Sequence, residues 1–108
     1  MAIRVLARIT PPKPKAGDVF KLQVVAQHPM EPGTRKDEQG NLIPAHYIDQ
    51  VEVYFEGQKV SAILPEPGVS ANPLFGLEFQ AGQAGTFNIK LKDNKGDTGE
   101  ASVKLELA

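Results

Sequence analysis

Two histidines and the carboxylates near them are the side chains of this sequence best suited to holding a metal ion. His28, His46, Glu31 and Asp49 offer the imidazole and carboxylate ligands that zinc accepts. The two histidines match no standard ligand spacing, however. We expect His28 to end a strand and to hydrogen-bond locally, and His46 to be an exposed loop residue. The sequence therefore predicts neither a metal site nor a cofactor.

Nucleophilic catalysis has few suitable groups in this chain. There is no cysteine, which excludes a thiol nucleophile, a disulfide and a thiolate metal site. Ser61, Ser70 and Ser102 are the only serines, and none lies in a Gly-x-Ser-x-Gly elbow. Glu52 and Glu56 are predicted on the solvent side of a strand, where no neighbouring feature prepares them for acid–base chemistry. We therefore expect no catalytic residue and no enzyme activity.

The segment from Asp93 to Asp97 resembles a calcium-binding loop only in part. A calcium loop of the EF-hand type needs oxygen ligands at its first, third and fifth positions and a helix on either side. Here Lys95 occupies the third position, and no helical pattern flanks the segment. The sequence predicts a turn between two strands.

A long polar segment, residues 28–47, separates two alternating apolar runs and offers a surface for binding. Such loops lie on the surface and often carry function. Met30 stands between Pro29 and Pro32, and we expect it to be an exposed, adaptable docking side chain. Arg35 is expected to bind a carboxylate or a backbone carbonyl. The alternative, a structural crossover between two sheets, remains open.

Leu6 and Val25 are predicted on the face of their strands opposite the core, where they would contribute to a partner surface. A connecting loop over residues 10–18 would place Leu6 near Lys21 or Gln23, so we do not expect Leu6 and Val25 to be direct neighbours. The complete set of predicted partner-binding residues is His28, Pro29, Met30, Glu31, Arg35, Leu6 and Val25.

The composition is that of one globular domain, residues 1–108. Apolar residues make up 41% of the chain and charged residues 23%. The formal net charge of −1 and the absence of tryptophan argue against nucleic-acid binding. The chain contains no run of about 18 apolar residues, so the sequence predicts no membrane span. The first residues lack a signal peptide, which by itself would indicate the cytoplasm.

Apolar residues alternate over several short stretches that Gly- and Pro-rich turns separate. The inward positions of the second stretch, for example, are Phe20, Leu22, Val24 and Ala26. Later stretches include Val60 to Leu64, with Val60, Ala62 and Leu64 expected inward, and Phe87 to Leu91. The pattern predicts an all-β fold, an immunoglobulin-like antiparallel β-sandwich of about seven strands. A closed barrel is the structural alternative.

Several motifs of the chain resemble the SoxZ family of sulfur-oxidation proteins. The resemblance begins at Met1-Ala2-Ile3-Arg4-Val5 and is most specific from Gln27-His28-Pro29-Met30-Glu31 to Ile43-Pro44. It continues through Tyr54-Phe55-Glu56-Gly57, Ala71-Asn72-Pro73 and Asp93-Asn94-Lys95-Gly96. One departure is Pro32, where the family more often has threonine.

The resemblance implies a binding subunit rather than an enzyme. SoxZ proteins pair with SoxY as a heterodimer, which carries sulfur intermediates of thiosulfate oxidation on a SoxY cysteine and meets other Sox enzymes transiently. It also implies a periplasmic location, reached without a signal peptide of its own by export with the signal-bearing partner. A generic immunoglobulin-like interaction module is the alternative function.

Overall fold

A computed structural model describes residues 3–65 and 71–108. Within them the chain forms seven antiparallel strands and no helix, which confirms the predicted all-β sandwich. The strands are β1 (Arg4–Thr10), β2 (Val19–Gln27), β3 (Ile48–Phe55), β4 (Gln58–Ile63), β5 (Leu74–Gln80), β6 (Gly85–Asp93) and β7 (Thr98–Leu105). No helix in this part of the chain could cross a membrane. The start of the family motif, Met1 and Ala2, lies outside the described residues, as do residues 66–70.

The strands form two sheets, one of three strands in the order β1-β2-β5 and one of four in the order β4-β3-β6-β7. Side chains two residues apart along a strand lie on the same face of the sheet. On β2 the inward face therefore carries Phe20, Leu22 and Val24, each at most 2% exposed. The second sheet contributes Val51 and Ile89, among others, to the same core. Burial of this alternating apolar set is what joins the two sheets.

Phenylalanines fill one end of the space between the sheets. The Phe87 ring contacts Phe20, Phe55 and Phe79 with centroid distances of 6.0, 4.7 and 5.4 Å. Tilted and edge-on contacts of this kind are favourable beyond the area they bury. Phe87, at 3% exposure, therefore faces inward as the alternation predicts.

The β3–β4 hairpin has a two-residue turn in which Glu56 and Gly57 both have positive φ, 48° and 83°. This is the turn that best matches strand twist. A register shift between Val53 and Tyr54 then changes the facing of β4. The expectation that Val60, Ala62 and Leu64 point inward is wrong, since all three are exposed, Val60 at 45% and Leu64 at 74%.

Candidate functional site

Residues 28–47 cross from β2 in one sheet to β3 in the other, and they fold back on themselves as an irregular hairpin. Glu31 and His46 form an antiparallel bridge through N···O contacts of 2.6 and 2.8 Å, and Lys36 pairs with Leu42 nearer the tip. Gly33 is required in this hairpin, because it has φ of 85° and an added Cβ would lie 2.9 Å from that of Ala45. The backbone of the segment is thus largely hydrogen-bonded within the segment itself.

Met30 lies in the core, so the expectation that it is an exposed docking side chain is wrong. It is 3% exposed, and its Sδ accepts a hydrogen bond from the Ile48 amide at 3.3 Å. Its backbone has φ of 50°, a left-handed conformation that is uncommon outside glycine. The hairpin folds back after Met30 and places the side chain between the sheets, where burial of its apolar surface is favourable.

Arg35 has a carboxylate partner within its own chain. Its Nε donates to Glu31 Oε2 at 3.1 Å, and its Nη2 donates to Glu31 Oε1. The Arg35 side chain is exposed while the Glu31 side chain is 15% exposed. The carboxylate predicted for Arg35 is therefore Glu31, four residues earlier. A role of His28, Pro29, Glu31 or Arg35 in binding a partner remains a prediction.

Both histidines converge on Asp93, at the end of β6. His28 Nε2 lies 3.0 Å and His46 Nε2 lies 2.8 Å from Asp93 Oδ2. The side chains of His28 and Asp93 are 3% and 0% exposed, whereas that of His46 is 25% exposed. The expectation that His46 is an exposed loop residue is therefore wrong. Asp49 and Glu31 are not part of this cluster.

The hydrogen bonds around His28 fix which of its ring nitrogens carries the proton. The Met30 amide donates to His28 Nδ1 at 3.1 Å, so Nδ1 acts as an acceptor and carries no proton. Nε2 is then the protonated nitrogen and donates to Asp93. The local hydrogen bond expected for His28 is present, together with a long-range one that the sequence did not indicate.

The turn after β6 satisfies the other oxygen of Asp93. Oδ1 accepts the amides of Lys95 and Asp97, both at 2.9 Å. Burial by itself would raise the pKa of Asp93. The hydrogen bonds from His28, from His46 and from the Asp97 and Lys95 amides outweigh that effect and lower the pKa from 3.8 to about 2. Asp93 is therefore a carboxylate anion with donors on both oxygens.

The same three side chains have suitable atoms for a metal ion, with ligand atoms within 4.8 Å of one another. A metal at His28 Nε2 would need the lone pair of that nitrogen and would leave the proton on Nδ1. That proton would point at the Met30 amide, which is itself a donor. The Met30 amide thus opposes metal ligation, and the cluster is built as a hydrogen-bonded clasp. We call His28, Asp93 and His46 the histidine–aspartate clasp.

Asn94, the residue after Asp93, binds the second arm of the hairpin, which leads into β3. Its Oδ1 accepts the Tyr47 amide at 2.8 Å, and its Nδ2 donates to the Ala45 carbonyl at 2.9 Å. Asn72 binds the first arm of the hairpin, which follows β2, because its Oδ1 accepts a hydrogen bond from the His28 amide at 3.1 Å. The turn predicted at Asp93–Gly96 is confirmed, but its role as the anchor of the 28–47 segment was missed. The adjacent Asp-Asn pair was the available signal, since both residues often cap turns.

A second candidate region lies on the outer face of the three-stranded sheet. Leu6 is directly opposite Val25, and Val25 is directly opposite Leu74 on β5. The expectation that Leu6 and Val25 are not neighbours is wrong. The first two residues of β2, Val19 and Phe20, extend past the end of β1 and pair only with β5. The last residue of β1, Thr10, therefore pairs with Lys21, and this register places Leu6 opposite Val25. Both predicted residues are exposed as expected, at 70% and 38%.

A family model described as sulphur oxidation protein SoxZ matches residues 8–104. The match covers the hairpin, the clasp and the five strands β2 to β6 completely, together with part of β1 and all of β7 except its last residue. No curated protein matches the chain.

Solved structures with the same fold include superoxide reductases and a sulfur carrier protein. A superoxide reductase (neelaredoxin) variant from Ignicoccus hospitalis is 21% identical with a TM-score of 0.67, and the match covers 99% of this chain and 80% of that one. A putative superoxide reductase from Thermotoga maritima is 16% identical with a TM-score of 0.69, covering 99% and 86%. The sulfur carrier protein SoxY from Chlorobium limicola is 13% identical with a TM-score of 0.60, covering 99% and 76%. At these identities the likeness shows a shared fold and nothing of the chemistry.

Proposed function

Because the chain belongs to the SoxZ family of sulphur oxidation proteins, we propose that it is the subunit of a sulfur-carrier complex that does not itself bear the sulfur. The observation that carries the proposal is the family match over residues 8–104. In this complex the chain pairs with a cysteine-bearing SoxY-type protein as a heterodimer. It completes the carrier and offers surface to the thiosulfate-oxidising enzymes that load and unload it.

The absence of cysteine supports this division of labour. Carrying sulfur as a covalent adduct requires a thiolate nucleophile, and the chain has none. The sulfur must therefore be attached to the partner. A SoxY structure with the same fold over 99% of this chain fits a complex of two related sandwiches.

The chemistry of the clasp also favours a subunit without enzyme activity. The Asp93 carboxylate is buried and has hydrogen-bond donors on both oxygens. A general base needs a lone pair that can reach a substrate proton. The clasp therefore serves to position the 28–47 hairpin rather than to transfer protons.

The complex works in the periplasm, and this chain reaches it by export together with a signal-bearing partner. Fractionation of cells that carry or lack the partner gene tests this part of the proposal. The chain should be periplasmic only when the partner is present. A periplasmic chain in cells without the partner would contradict co-export.

Co-purification tests the subunit itself. The tagged chain, produced together with the SoxY-type protein of the same organism, should yield an equimolar complex. Intact mass spectrometry after incubation of that complex with thiosulfate and its loading enzymes should show a mass gain on the partner and none on this chain. Absence of a complex would instead favour a generic immunoglobulin-like interaction module.

A further inference from the structure

Three exposed aliphatic side chains form one continuous row across the three-stranded sheet. Leu6, Val25 and Leu74 face one another in register on β1, β2 and β5. They are 70%, 38% and 58% exposed. Single exposed apolar side chains are ordinary on protein surfaces, but a contiguous row indicates an interaction site.

The outer face of the other sheet has no such row. In the described part of the chain, β3, β6 and β7 carry no exposed large hydrophobic residue, and the edge strand β4 carries a single one, Val60, at 45%. The exposed positions of β6 and β7 include Asn88, Lys90, Lys92, Glu100, Ser102 and Lys104. The two faces of the sandwich therefore differ in chemistry, and only the three-stranded sheet has an apolar centre.

Positive charge borders the apolar row. Arg4 and Arg8 flank Leu6 on the same face of β1, and both are exposed. Arg8 donates to Gln23 at 2.8 Å, and neither arginine joins an ion pair within the described residues. The carboxylate on this face, Glu78, lies two rows away from Leu74 opposite Lys21. A complementary surface would therefore carry carboxylates around an apolar centre.

A depression in the surface lies beside the apolar row. Gly76 follows Leu74 on the same face of β5, and an added Cβ would meet nothing within 4 Å. The space of about 270 Å³ above it is lined by Lys21, Gln23 and Leu74, among others. An apolar side chain from a facing surface can enter this depression while its neighbours cover the row.

We propose that the outer face of the three-stranded sheet is the docking surface for the cysteine-bearing subunit, which presents an apolar centre with carboxylates at its rim. The inference rests on the proposed function and names the surface that it uses. The 28–47 hairpin lies outside this contact and is left open to the enzymes that act on the carrier.

Titration calorimetry with the purified SoxY-type protein of the same organism tests the surface. Leu6→Glu and Leu74→Glu should each weaken binding at least tenfold, because each places a carboxylate in the apolar centre of the contact, close to the acidic rim of the partner. Leu42→Glu is the matched control, since Leu42 is 61% exposed on the hairpin. It should leave the affinity within about twofold of wild type, as expected for a residue outside the contact.

A second variant keeps the test independent of folding defects. Gly76→Phe fills the depression without removing a contact, so it should retain the wild-type melting temperature and still weaken binding at least tenfold. Raising the salt concentration should slow association of the wild type more than that of Arg4→Glu/Arg8→Glu.

The outcomes separate the surface from the function. If the wild type does not bind the partner, both proposals are overturned. Suppose instead that the wild type binds the partner, and that binding is weakened by Leu42→Glu but not by Leu6→Glu or Gly76→Phe. The subunit role then stands and the proposed docking surface is wrong. Self-association of the wild type that Leu6→Glu abolishes, with unchanged partner affinity, would assign the face to a second copy.

Discussion

The imidazole rings of His28 and His46 pack edge to face, with centroids 4.5 Å apart. They come from opposite arms of the 28–47 hairpin, and both direct Nε2 to the same oxygen of Asp93. The clasp thus joins the two arms to each other and to the turn after β6. A hairpin fastened in this way is a fixed surface rather than a loose connection, and ordering it at a partner would cost little further entropy.

Asp93→Asn should lower the free energy of unfolding by about 2–4 kcal/mol, since the variant removes a buried anion that accepts hydrogen bonds on both oxygens. In either orientation the new amide group faces at least one donor. Urea denaturation gives the value. Asp49→Asn, outside the clasp, is the control and should change it by less than about 0.5 kcal/mol. Equal effects of the two variants would contradict the clasp.

Acid should weaken the protein in a defined range. The folded-state pKa of Asp93 is about 2 and its unfolded value is 3.8. The stability that its lowered pKa contributes is complete above the unfolded value and is lost as the pH falls through the folded one. The difference corresponds to about 2 kcal/mol. Urea midpoints between pH 5 and pH 2 should therefore fall less steeply for Asp93→Asn than for the wild type, and parallel curves would exclude Asp93 as the cause.

Met30→Ala should destabilise the fold by about 2–5 kcal/mol, as expected for a buried methionine whose removal leaves a cavity. Leu42→Ala, in the same hairpin but exposed, should change stability by less than about 0.5 kcal/mol. Thermal unfolding of the two variants side by side gives the comparison. A wild-type melting temperature for Met30→Ala would show that the side chain is not in the core.

Zinc should not stabilise the protein. A ligand that binds only the folded state raises the melting temperature, but ligation at His28 Nε2 requires a proton on Nδ1, opposite the donating Met30 amide. Melting curves with and without equimolar zinc should coincide. A rise in the wild type that Asp93→Asn abolishes would identify the clasp as a metal site.

The facing of β6 gives a prediction about the core. Phe87→Ala should lower the free energy of unfolding by about 3–5 kcal/mol because the ring fills the space between the sheets. Lys92→Ala, on the solvent side of the same strand, should change it by less than about 0.5 kcal/mol. Similar losses for both variants would mean that the face of the strand is wrongly assigned.

The sequence by itself determined the elements and the family. Alternation along β2, with Phe20 and Leu22 inward, defines a strand locally because side chains two residues apart share a face. The same reasoning failed at β4, where a register shift between Val53 and Tyr54 exchanges the inward and outward positions. The lack of cysteine and the motif around His28 were enough to indicate a subunit without a thiol.

Only the tertiary structure decided which of these residues meet. Asp93 is 65 residues from His28 and 47 from His46, and nothing local to the three positions links them. Leu6 meets Val25 because of the β1–β2 register, and Met30 is buried because the hairpin folds back over it. Strand periodicity fixes the face that a side chain takes, whereas its partner depends on register and on the order of strands in the sheets. Those properties arise from packing of the whole chain, so a local pattern cannot specify them.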